Sequence, residues 1–194
     1  EKSITSDAIK DDRLWDILGR HGKKSILLGI PQTYPVKPVA GCQISGFLTP
    51  SLDSPCVYPA HLKNKLEKTV PSFSFDVPAF RKMSPEKLRD NLIAMTRSHF
   101  QFFDCLLKTR PWDFAMMVEI GTDRMQHAFW HHGDPDHPFY QKGSPFENAM
   151  LDYYRLIDTW LGKIIRGLKK NTSVFIVSDH GAKPLRGGIA INEW

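Results

Sequence analysis

The sequence predicts an α/β fold, a predominantly parallel sheet flanked by helices and carrying a Pro-rich, helical insertion. Three observations predict it. Helix-like and strand-like stretches alternate along much of the chain. The strand-like stretches are continuous apolar runs, as strands covered on both faces require. Glycines separate the first helix from the first strand, the usual punctuation of such a sheet.

The elements follow in order. "RLWDILGRHGKK", residues 13–24, places Leu14, Trp15, Ile17 and Leu18 at helical spacing, with Gly19 and Gly22 available to end the helix. "SILLGIP", residues 25–31, reads as a short buried strand. From Gln32 to Pro78 prolines recur among interleaved apolar residues, so short elements joined by loops are expected, not disorder. The stretch from about 32 to 108 is expected to form a lid-like insertion. Within it a long helix is predicted over Ser84–Thr109, with Ser84 as N-cap, Pro85 at the first helical position and Glu86 in the first turn. Leu88, Leu92, Met95, Phe102, Phe103 and Leu106 form its buried stripe, interrupted by His99, which reads as a hydrogen-bonded core residue.

"WDFAMMVEIGTD", residues 112–123, reads as a second strand with a polar end. A further helix is predicted over residues 146–170, with Leu151, Tyr154, Ile157, Leu161, Ile164, Ile165 and Leu168 facing the core. Asp158 lies among these apolar residues, where a buried acid requires a partner. "NTSVFIVSDHG", residues 171–181, reads as a third, buried strand. The chain opens on Glu1, not Met, and "LRGGIAINEW" reads as the start of another element, so an internal portion of a longer protein is expected.

Composition narrows the class. The chain has 194 residues, 41% hydrophobic and 24% charged, an ordinary globular balance for one domain. No apolar run reaches the roughly 18 residues of a membrane span, and the N-terminal stretch shows no apolar leader core. The net charge of +5 suits anionic substrates such as phosphate esters. The basic residues are scattered and no nucleic-acid module is present, so no specific nucleic-acid partner is expected. Cys42, Cys56 and Cys105 form neither a disulfide framework nor a Cys-x-x-Cys site, which fits a reducing, cytoplasmic setting.

Ligands of parallel α/β sheets gather at the carboxyl ends of strands. Asp123 and His127 follow the second strand and lie four residues apart. If the chain turns helical there, both side chains share one face and reach one ion. Asp179 and His180 end the third strand and can converge where Gly181 permits a bend. Carboxylate and imidazole together suit Zn²⁺, Mn²⁺ or Fe. "HHGDPDH", residues 131–137, reads as a solvated turn or as the mouth of a substrate cleft. Arg124 and Arg186 are candidate contacts for an anion, through their fork of donors.

"VFIVSDHGA", "GTDRMQHAFW" and "IPQTYPVKPVAGCQISGFLTPS" together resemble the type I phosphodiesterase/nucleotide pyrophosphatase family of the alkaline phosphatase superfamily, from about Leu14 to Trp194. The resemblance implies a partial alkaline phosphatase-like core and a hydrolase of phosphate ester or pyrophosphate bonds that uses two metal ions, zinc foremost. It implies Asp123 and His127 on one ion, with a downstream His. It implies Asp179 and His180 on the other, with an upstream Asp and a Thr or Ser nucleophile that forms a covalent phospho-enzyme. This sequence carries no counterpart of that nucleophile, of the upstream Asp or of the downstream His. Thr5, Ser6 and Thr122 do not sit in the nucleophile's context. Activity is therefore expected of the parent protein and not of this piece alone. The other expectations are a sulfatase-like enzyme, phosphomutase or phosphonate hydrolase of the same superfamily, or a metal-binding or interaction domain without chemistry. An open strand edge is expected to pair copies into a homo-oligomer.

Overall fold

A computed structural model describes residues 5–184 and Gly187. Among them four strands form one sheet, in the order β3-β2-β1-β4. The strands are β1 (Ser25–Gly29), β2 (Gly41–Gly46), β3 (Val57–Tyr58) and β4 (Phe114–Met117). β1 pairs in parallel with β2 on one side and with β4 on the other; only the short β3 runs antiparallel, against β2.

β1 explains the layering. Ile26, Leu27 and Leu28 are all fully buried. Successive side chains of a strand point to opposite faces, so both faces must be covered. Ile26 and Leu28 pack into the main core with Ile44 of β2, Leu62 and Leu66 of α2 (Leu62–Thr69), and Phe102 and Leu106 of α3 (Pro85–Thr109). Leu27 packs on the other face with Ile30 and with Trp15 of α1 (Leu14–Arg20). Gly29 ends β1 at φ +76°, and a Cβ there would run into the Val118 carbonyl oxygen. The close approach of β1 to the chain leaving β4 thus requires glycine.

The long helix α3 starts as predicted, with the Ser84 hydroxyl accepting from the Lys87 backbone N–H and Pro85 in the first turn. Its first half meets α4 (Gly121–Gly133) and α5 (Ala149–Gly167) through Leu88, Leu92, Met95, Met125, Phe129, Ala149 and Tyr153. Its second half covers the sheet. Residues 32–108, read from sequence as a lid-like insertion, supply β2, β3, α2 and α3, and so contribute strands to the sheet and side chains to its core.

Three sequence expectations need correction. Residues 174–177 do not form a buried strand: they are extended and unpaired, and Phe175 and Val177 are 85% and 84% exposed. The run has strand composition, but no described element lies against it. The buried face of α5 is Ala149, Tyr153 and Ile164, whereas Leu151, Tyr154 and Ile165 face solvent. The predicted stripe is turned because α3 and α4 cover only one side of the helix. Asp158 is consequently exposed, not a buried acid.

Two substitutions separate core from surface. Phe102→Ala should lower the unfolding free energy by about 3–5 kcal/mol, the cost of an aromatic cavity. Phe175→Ser should change it by less than about 0.5 kcal/mol, as at an exposed site. Urea unfolding checks both, and a large loss from Phe175→Ser would place the 174–177 run in a core.

Candidate metal centre

The chain leaves β4 at Met117 and enters α4 at Gly121, so the first turn of α4 stands at the carboxyl edge of the sheet. Asp123 and His127 both lie on α4, and their shared face brings Asp123 Oδ1 to 3.4 Å from His127 Nε2. His127 is the open member, with its side chain 60% exposed against 27% for Asp123.

The other carboxylate oxygen of Asp123 is occupied. Arg124 Nη1 donates to Asp123 Oδ2 at 2.9 Å, and Arg124 Nη2 donates to Asp76 Oδ2 at 2.6 Å. Arg124 Nε lies 3.1 Å from Asp76 Oδ1, and the guanidinium rests over the rings of Phe47 and Phe80. The donor fork that sequence assigned to a substrate anion is thus taken up by two carboxylates. Arg186 lies outside the described residues.

Asp179 and His180 lie in the exposed segment after α5. His180 Nδ1 meets the Gly181 carbonyl oxygen at 2.8 Å, which leaves Nε2 outward, 3.7 Å from Asp179 Oδ1. The Gly181 hydrogen bond, then the charges of Asp179 and Asp123, raise the His180 imidazole above its ordinary value. Asp123 therefore lies within electrostatic reach of His180. Among the described residues no group of three or more His, Cys, Asp or Glu could hold a metal ion. What is present is two acid–imidazole pairs of the right donor chemistry for zinc-type ions.

The neighbouring histidines are structural in setting. His131 and His132 close α4 with ring centroids 4.0 Å apart, and His132 Nδ1 meets the Ser144 hydroxyl at 2.8 Å. Burial, then the adjacent imidazoles, lowers both below the ordinary value. Ser6 donates to the Pro35 carbonyl and Thr122 to the Glu119 carbonyl, so neither hydroxyl is free. Burial pushes the Cys42 thiol up to about 11, far from a reactive thiolate.

Sequence reasoning did not find Glu119, Asp76, Thr96 or Tyr153. Glu119 follows β4, and its carboxylate accepts from the Gly121 backbone N–H at 2.9 Å and from the Thr96 hydroxyl at 3.2 Å. Its second oxygen lies 2.9 Å from Nδ1 of His99, which is 2% exposed. The polar break in "MMVEIGTD" was the available signal for Glu119. Asp76 has none, because its partner Arg124 is 48 residues away. A small crevice opens beside this network at the strand carboxyl ends, lined in part by Gly29, Ser45, Phe47, Phe75 and His99.

Fold and site together define a parallel α/β protein with acid–imidazole chemistry beside the carboxyl ends of its strands. The chain belongs to the type I phosphodiesterase/nucleotide pyrophosphatase family, whose family model matches residues 1–194. No curated protein and no solved structure matches it. By family the chain is of the phosphodiesterase/pyrophosphatase hydrolase type, a generally metal-dependent group. No helix among the described residues is long and apolar enough to cross a membrane.

Burial alone would lower the His99 imidazole, but the Glu119 charge and the hydrogen bonds to Glu119 and Ser74 outweigh it, so its value is raised above 6.5. The pair's contribution to stability is present below the unfolded value of about 6.5, down to the carboxylate range, and is lost as pH rises through the higher folded value. Urea midpoints should therefore fall as pH rises through that window, and His99→Gln should flatten the fall. His180 shifts the same way but is exposed, so the difference between the two proteins isolates His99.

Proposed function

We propose that the protein is part of a metal-dependent hydrolase that cleaves phosphodiester or pyrophosphate bonds in small phosphate esters. Asp123 and His127 hold one divalent ion, and Asp179 and His180 hold a second, with Zn²⁺ the best match to the donors. Bound there, such ions supply Lewis-acid stabilisation of the charge on phosphoryl oxygens.

The supporting observation is the Asp123–His127 pair. A carboxylate and an imidazole stand 3.4 Å apart on one helix face, directly after a parallel strand. Arg124 holds Asp123 Oδ2 and leaves Oδ1 facing His127. His180 spends Nδ1 on the Gly181 carbonyl and keeps Nε2 for a ligand. The basic net charge of +5 draws anionic substrates toward the site.

Calorimetric titration of Zn²⁺ into the chain is the direct test. Binding should be weakened by Asp123→Ala and His127→Ala by more than the roughly 10–100-fold that an outer partner of a metal ligand costs. Binding indifferent to both substitutions would overturn the assignment. In the parent protein, Asp123→Ala should abolish zinc-dependent hydrolysis of bis(p-nitrophenyl) phosphate while leaving the fold intact by circular dichroism.

A further inference from the structure

We infer that His99 is a positioning residue: from inside the core it sets the orientation of the Asp123 carboxylate by bracing both segments that hold it. The inference rests on the proposed ligand role of Asp123. The observation behind it is a closed ring of hydrogen bonds.

One arm runs through Glu119. His99 Nδ1 lies 2.9 Å from Glu119 Oε2, and Glu119 Oε1 accepts from the Gly121 N–H, the first residue of α4, at 2.9 Å. The carboxylate thereby fixes the start of the helix that carries Asp123, where a negative charge is also favoured by the helix dipole. The other arm runs through Ser74. His99 Nε2 lies 2.7 Å from the Ser74 carbonyl oxygen. Two residues on, Asp76 takes Arg124 at 2.6 Å, and Arg124 in turn donates to Asp123 Oδ2 at 2.9 Å. Asp123 is thus reached from both ends: from the backbone that leads into it, and from the side chain that turns it.

The chemistry of the ring requires His99 to donate from both nitrogens. Each faces an acceptor, a carboxylate on one side and a carbonyl on the other, and a neutral ring has only one N–H. His99 is therefore the cation of a buried pair with Glu119, with side chains 3% and 10% exposed. Breaking one side of such a pair strands the other charge. The surroundings are built for Glu119 as an anion. The Thr96 hydroxyl donates to Oε1, so the Tyr153 hydroxyl, 2.6 Å from Thr96 Oγ1, donates to Thr96 in its turn.

Gly121 supports the reading independently. A Cβ there would land on the Tyr153 hydroxyl, 2.7 Å from Glu119 Oε1 and 2.8 Å from Thr96 Oγ1. The helix start is drawn so close to the carboxylate that no side chain fits between them. Local packing of α4 through Met125 and Phe129 would not need this approach.

The test uses the full chain and two readouts. Without metal, NMR follows the Gly121 amide and the Asp123 carboxyl carbon. With Zn²⁺, calorimetry gives the affinity. His99→Gln should shift both signals, leave amides of β1 and β2 in place, and weaken Zn²⁺ binding about 10–100-fold. Glu119→Gln keeps the shape of the carboxylate and should do the same, which covers failure of His99→Gln to fold. The double variant replaces a stranded charge with a neutral amide pair, so it should recover part of the loss and show non-additivity. Unchanged signals at Gly121 and Asp123 in both single variants would overturn the inference, as would additive losses in the double variant. If the native chain binds no Zn²⁺, the proposed metal role of Asp123 fails; the metal-free signals then still decide whether His99 positions Asp123.

Discussion

The central strand sets the terms for everything else. Ile26, Leu27 and Leu28 are completely buried, and a strand apolar on both faces is stable only between two covering layers. Parallel pairing on both of its sides adds a second demand. Each parallel partner must return to the same end of the sheet before it starts, so the chain spends long connections on the return. β2 returns through an irregular link, and β4 through α2 and α3. As a result the carboxyl ends of β1, β2 and β4 share one edge, where Gly29, Ser45, Phe47 and Ile120 meet.

That edge collects charge that the core would not otherwise tolerate. Glu119, His99, Asp76, Arg124 and Asp123 are linked without a break from α3 to α4. A buried pair of charges is weak evidence for stability, because desolvation offsets most of its attraction. Its persistence at one edge of a sheet is better explained by orientation. Rigid placement of a few polar atoms is what a reaction at phosphorus needs from a protein, and a polar ring with every donor matched to an acceptor provides it.

Much of the fold was legible in the sequence, and the reasons are local. Periodicity and an N-cap are short-range signals, so α3 was found almost to the residue from Ser84 and the stripe Leu88 to Leu106. β1 was legible because a continuous apolar run between glycines has few other uses. The covered face of α5 was not legible, since the helix is apolar on more than one side and only its neighbours decide which side is buried. The run at 174–177 misled for the same reason: strand composition states a preference and not a partner. At the site, the spacing of Asp123 and His127 could be read directly, because a helix converts sequence distance into contact. The groups that hold them, Asp76, Thr96 and Tyr153, come from remote segments, and nothing in their own flanks announces the meeting.

The exposed stretch Val174–Val177 has one more consequence. Its backbone is extended and unpaired, with Phe175 and Ile176 turned outward at 85% and 71% exposure. Exposed, unpaired backbone is where proteolytic nicking concentrates, and an aromatic side chain is a ready anchor for a protease cleft. A cut beside Phe175 would release Asp179 and His180 while leaving the sheet and its polar edge whole. The covalent weak point of the chain thus lies between its two acid–imidazole pairs.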